Sequence, residues 1–165
     1  MKRLLDLVTD ILFAISGGAL AVMLMSYLTE VGMRYFLNAP TRWSSDVVSY
    51  AMLVSIAFAL PVVTRDGGHV AITAMLEWLS PPRRRHAHRA LAAISALSCA
   101  CTSAVLFSQS LSQMREGIET VAALSVPKWW LSASVGMGLL LAALHFACSG
   151  VRLTPVEPET DIHQI

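Results

Sequence analysis

Charge is what this chain has least of. Only 14% of its 165 residues are Asp, Glu, Lys or Arg, against about 25% in an average soluble domain. The few charges nearly cancel, at a formal +1, so nothing suggests nucleic acid as a partner. Cysteine is scarce too: the three are Cys99, Cys101 and Cys148. Positions i and i+2 of a helix point about 200° apart, so Cys99 and Cys101 cannot easily share a metal. Small buried side chains are the expected role of all three. There is no Gly-rich phosphate loop, no H-E-x-x-H, and no cysteine pair placed for quinone-linked thiol oxidation. His145 is the one histidine inside an apolar run. A bis-histidine haem therefore lacks its second ligand, and a neutral imidazole bonded to a neighbouring helix is the expected state of His145. His86 and His88 sit among arginines and read as part of a basic surface. No catalytic residue, metal or cofactor is expected, and the chain does not read as an enzyme.

What the chain does have is long apolar runs, with 55% hydrophobic residues and a mean hydropathy of +0.60. A helix needs roughly 20 mostly apolar residues to cross a bilayer. Residues 11–29, 47–64, 90–114 and 129–151 carry no charged side chain. They predict four transmembrane helices over about 11–37, 44–64, 90–114 and 129–151. These make one all-α membrane domain, 1–155, with a polar tail at 156–165 and no soluble domain. Lys2 and Arg3 precede the first run as in a signal peptide. That run is longer than a usual h-region and lacks a clear A-x-A site, so it reads as a retained span.

Four spans put both termini and the middle loop on one side. That side holds Lys2, Arg3, Arg65, Arg83, Arg84, Arg85, Arg89 and Arg152; the other holds Arg42, Arg115 and Lys128, with Arg34 at its edge. Positive residues stay cytoplasmic, so both termini are expected there. In the middle loop Ile72, Met75, Leu76 and Leu79 share one helical face beside Trp78. That pattern suits a short helix over 70–79 lying in the cytoplasmic interface, ended by Pro81-Pro82 and followed by the run RRRHAHR.

Small residues four apart suit close helix approach: Ala14 and Gly18, Gly17 and Ala21, Ser132 and Gly136. They predict a helical bundle. Pro61 should kink the second span. A self-sufficient small transporter or channel is the main rival class, and a membrane redox subunit a weaker one. Transporters place polar groups near the midplane and often contain inverted repeats. Here the deepest carboxylate is Glu30, near one end of the first span, and the two halves share no motif.

The polar residues concentrate in RYFLNAPTRWSSD, residues 34–46, between the first two runs. Glu30 and Arg34 are four apart and share a helix face. Asn38 continues that stripe if the helix persists. Pro40 helps turn the chain, Trp43 suits the headgroup layer, and Asp46 starts the returning helix. Two readings stand. In one, Arg34 is held between Glu30 and Asp46, locking the hairpin. In the other, these groups snorkel into headgroups.

This pattern resembles the small membrane subunit of the tripartite ATP-independent periplasmic (TRAP) transporters. The resemblance rests on Glu30, Arg34-Tyr35, Asn38, Pro40, Trp43 and Asp46, then Gly68-His69-Val70-Ala71-Ile72, then Ala123-Leu124-Ser125-Val126-Pro127-Lys128-Trp129-Trp130. It covers roughly residues 4–153. The chain departs from the family at Ser45, where a second acidic residue is frequent, and at Thr73, where an aspartate is. The resemblance implies a sodium-coupled organic-acid uptake system. Its partners would be a large multi-span membrane subunit, a periplasmic substrate-binding protein and the lipid bilayer. This chain would act as scaffold in the bacterial inner membrane, without binding substrate itself. The resemblance also favours the Arg34 lock. It marks Glu30, Arg34, Asn38, Pro40, Trp43, Asp46, His69, Pro127 and Trp129 as structural or subunit-interface residues.

Overall fold

A computed structural model describes residues 2–39, 41–66 and 81–151. Among these residues the chain forms four α-helices: α1, Lys2–Phe36; α2, Ser44–Arg65; α3, Pro81–Glu116; and α4, Lys128–Val151. All four are long and apolar enough to cross a membrane. The segment expected to form the interfacial helix, 70–79, lies outside the described residues, as do Pro40, His69 and the tail at 156–165.

The helix ends follow from local chemistry. Asn38 adopts φ 50°, and the N–H groups of Leu37 and Ala39 both return to the Met33 carbonyl. Asparagine tolerates the left-handed conformation, so Asn38 turns the chain away at the helix end. The expectation that Asn38 extends the Glu30–Arg34 stripe is thereby corrected. Gly117, at φ +62°, does the same for α3. At its other end α3 starts ahead of the span expected from about 90. Pro81-Pro82 begin this helix, where the missing N–H groups cost nothing. The RRRHAHR run forms the early turns of α3 and is not a loop.

At 1.5 Å rise per residue, α1 with 35 residues and α3 with 36 each exceed 50 Å. By the same measure α2, with 22 residues, and α4, with 24, are about 33–36 Å. The hydrocarbon layer is about 30 Å.

The helices do not close into a bundle. Antiparallel α1 and α2 are joined at Ser26–Ser44 and, further along, at Ser16–Ser55. Antiparallel α3 and α4 are joined where Ser110 reaches the Trp129 carbonyl and Ser103 the Gly136 carbonyl. The two hairpins then meet through α2 and α4, which run parallel. Extensive packing links α1 to α2, α2 to α4 and α4 to α3, and no other pair. The result is a row in the order α1, α2, α4, α3. It has a hairpin end, holding the α1–α2 and α3–α4 connections, and a terminal end.

The reason lies in the residues at the seams. The buried apolar side chains are mostly alanine: Ala57, Ala92, Ala142 and Ala143, with Val62 and Leu141. Leu20, Leu24, Leu28, Ile94 and Leu97 are exposed. Lipid solvates large apolar side chains as well as a protein core does, so helix contacts in membranes favour small and hydroxyl residues. The small pairs on α1 were expected to make such a contact. A Cβ at Gly17 or Gly18 meets nothing within 4 Å, so that face of α1 points away from the row. α1 uses Ser16 instead.

Candidate functional site

The polar cluster at the hairpin end is organised by hydroxyls and backbone groups. Ser44, buried in the first turn of α2, donates to the Ser26 carbonyl at 3.0 Å, and the two hydroxyls lie 3.2 Å apart. This pair pins the hairpin. Glu30, half-buried, accepts a hydrogen bond from the Thr41 hydroxyl. Asp46 accepts from the Leu124 N–H at 3.1 Å. One turn further along α2, the Tyr50 hydroxyl lies 2.9 Å from Thr120 Oγ1 and 3.3 Å from the Leu124 carbonyl, donating to either. Thr120 and Val126 bond to each other three times across the α3–α4 connection. That connection is therefore a fixed loop, tied down on α2 by Asp46 and Tyr50.

The proposed lock does not form. Arg34 is exposed. Among the described residues the ion pairs belong to Arg65, with Asp10 at 2.6 Å and Asp66 at 3.1 Å. The physical reason is competition: Thr41 occupies Glu30 and a loop amide occupies Asp46. An exposed Arg34 pair would have gained only about 0–1 kcal/mol.

Trp43 is exposed and precedes α2 without a side-chain capping bond. Pro127 carries the carbonyl that accepts from Trp130 N–H, and it forms an isolated bridge with Glu119. Trp129 is half-buried, stacks edge-on with Trp130 at 5.7 Å, and offers its carbonyl to Ser110. The structure thus brings Asp46 close to the loop leading to Pro127 and Trp129, and leaves Arg34 and Trp43 facing outward.

Several partners went unnoticed in the sequence. At the terminal end, Thr9 lies 2.9 Å from His145 Nε2. The Thr9 hydroxyl donates to the Leu5 carbonyl, so it accepts from Nε2–H. This bond reaches from α1 across to α4. The sequence reading of His145 as helix-bonded agrees with it, without having named Thr9. Arg65 joins Asp10 across α1 and α2 at the same end. Ser132 donates to Gln113 at 2.9 Å, adding a link between α3 and α4. A signal existed: Thr9 and Ser16 are seven apart, as are Ser103 and Ser110, so each couple stands on one helix stripe.

Chemically, this arrangement joins helices and presents a shaped end. Among the described residues no group of three or more His, Cys, Asp or Glu side chains is placed to hold a metal. Residues 23–155 match the family described as tripartite ATP-independent periplasmic transporters, DctQ component. No curated protein matches the chain.

Proposed function

Because the chain belongs to the DctQ component family of the tripartite ATP-independent periplasmic transporters, of which it is the small membrane subunit, we propose that it serves a sodium-coupled organic-acid uptake system as scaffold. In this reading it holds the large membrane subunit in place. The substrate passes through that subunit after delivery by a periplasmic binding protein. The observation that supports this most is the use made of buried polar groups. Thr9, Ser16, Ser26, Ser44, Ser55, Ser103, Ser110 and His145 are all buried, and each is bonded to another helix. A transport pathway needs polar groups turned towards a cavity; these are turned towards neighbouring backbones and hydroxyls. Deleting the chain from the assembled system is expected to reduce uptake to background while the soluble protein binds substrate unchanged. Substrate accumulation by this chain alone, in sealed liposomes with a sodium gradient, would refute the scaffold role.

The same reading places the chain in the bacterial inner membrane with its terminal end in the cytoplasm, supported by the eight-to-three arginine and lysine bias. In a cysteine-free background, Thr41→Cys is expected to react with an impermeant thiol reagent in intact spheroplasts, and Arg84→Cys is not. The reverse labelling pattern inverts the orientation.

A further inference from the structure

Helix α3 outruns the row at the terminal end. Ser110 meets Trp129 and Ser103 meets Gly136, the same interval on both helices, so one antiparallel register holds along the seam. Carried to the end of α4, that register sets Val151 level with His88. Residues 81–87 therefore extend past α4 by about 10 Å. Among the described residues α3 packs extensively on α4 alone, so no described helix flanks the extension. The parallel register of α2 and α4 fixes its height. Gly138 abuts Ala57, so Arg65, the last residue of α2, stands level with Phe146 on α4 and Ala93 on α3. Residues 47–64 carry no charge, and Arg65 marks the edge of the apolar layer. The backbone of Arg89 lies about 6 Å beyond that edge, and that of Arg83–Arg85 about 12–15 Å. A headgroup layer is about 5–8 Å deep on each face. Anionic headgroups thus lie level with Arg89 and stop short of Arg83–Arg85.

The extension is basic. Arg83, Arg84, Arg85 and Arg89 stand in its turns with His86 and His88, and His86 and Arg89 are exposed. The carboxylates of the terminal end narrow the choice of counter-charge. Asp10 and Asp66 are held by Arg65. Asp6 stands on α1, at the opposite edge of the row. Glu77 is a lone charge in its segment. The acidic stretch is in residues 152–165, which follow α4: Glu157, Glu159 and Asp161, against Arg152. The distances fit. Six residues separate Glu157 from Val151, and six residues span up to about 20 Å. Arg85 is only about 5 Å along the axis past the level of Val151, across a helix spacing of about 8–10 Å. The tether at Val151 also gives the tail a local concentration on the order of millimolar.

We propose that the acidic stretch Glu157–Asp161 folds back on the arginine turns Arg83–Arg89 of α3, forming an ionic clasp at the terminal end. The clasp does not depend on the scaffold reading. It is an exposed charge network, so salt weakens it. The full chain, with its cysteines replaced, is spin-labelled at His86→Cys and Thr160→Cys and placed in phosphatidylcholine nanodiscs. At low salt the two labels are expected to show one narrow distance distribution. Width is the informative quantity, because the tether alone keeps the labels near each other. A free tail samples the full range of its nine residues beyond Val151, so release is expected to broaden the distribution about twofold or more. Salt at about 1 M is expected to cause that release. The triple reversal Arg83→Glu, Arg84→Glu, Arg85→Glu is expected to match it. Adding Glu157→Lys, Glu159→Lys and Asp161→Lys to the triple reversal is expected to narrow the distribution again. A broad wild-type distribution, a width that salt and charge reversal leave unchanged, or a double reversal that stays broad overturns the clasp. So does a distribution that broadens when phosphatidylglycerol replaces phosphatidylcholine, since that result assigns the arginines to lipid phosphate.

Discussion

Gly138→Ala is expected to split the row between α2 and α4, while Gly136→Ala, two residues away, is tolerated. The backbone of Gly138 lies so close to α2 that a Cβ would fall 2.0 Å from the Ala57 carbonyl oxygen and 2.8 Å from its carbon. Comfortable contact needs about 3.5 Å, so the helices must separate by on the order of 1.5 Å. The obstacle is backbone, which has no rotamer with which to yield. The approach has a cause in the sequence. Pro61 has no N–H, so the Ala57 carbonyl lacks its usual donor one turn on. Pro61 is buried within α2. A Cα–H group can approach such a freed carbonyl favourably, and only glycine brings its backbone near enough. At Gly136 a Cβ would rest 3.5 Å from Leu106 Cβ and Phe107 Cε2, an ordinary contact. We expect Gly138→Ala to cost roughly 3 kcal/mol, the upper range for overpacking, and Gly136→Ala close to nothing. Thermal unfolding of the two variants in detergent decides the matter. Equal midpoints would mean that α2 and α4 are further apart than described.

A second neighbouring pair gives the next largest contrast. Ser16→Leu should disrupt α1–α2 packing, and Gly17→Leu should not. Ser16 is buried, donates to the Ser55 carbonyl at 2.9 Å, and lies 3.2 Å from the Ser55 hydroxyl. Leucine there removes a bond worth about 0.6 kcal/mol between membrane helices. It also adds the bulk of two further carbons to a filled seam, at about 1–3 kcal/mol. Gly17 faces open space, so leucine fits, and helix propensity even improves by about 0.8 kcal/mol. The readout is the yield of monodisperse chain after detergent extraction. Loss at position 17 with retention at position 16 would rotate α1 by a third of a turn relative to the row.

Four spans were legible because their signal is composition over twenty residues, which tertiary context cannot override in a bilayer. Helix ends were less legible. Asn38 can continue a helix or end one, and only the conformation reached selects between them; Pro81-Pro82 can end one helix and begin another, and the structure describes the second role. The lateral order of the helices was hidden for a different reason. Small residues mark a contact without naming its partner. Gly17 and Gly18 look in sequence like Gly136 and Gly138, yet one couple faces outward and the other lines a seam. Within the hairpin-end cluster, residue types suggested charge pairing. The geometry used Ser26, Ser44, Thr41 and a loop amide, because neutral hydroxyls and backbone groups satisfy one another at shorter reach than Arg34 could manage. The Thr9–His145 bond spans 136 positions, and no local pattern announces a contact of that range.

A row of four helices has three extensive seams in series and no extensive fourth to close the circuit, while the Thr9–His145 bond ties α1 to α4 at the terminal end. In a ring of helices, turning one member strains two neighbours at once, so curvature is fixed from within. In this row, bending at the Ala57–Gly138 seam leaves the two serine-lined seams undisturbed and is resisted at its ends, by Thr9–His145 at one and by Asp46 and Tyr50 on the α3–α4 connection at the other. Its mechanics are those of a hinged screen: stiff panels about 10 Å apart, compliant joints between them. The curvature it adopts in the bilayer therefore answers to forces from outside working against those end ties: local thickness acting on the long flanking helices, and whatever surface the screen is stood against.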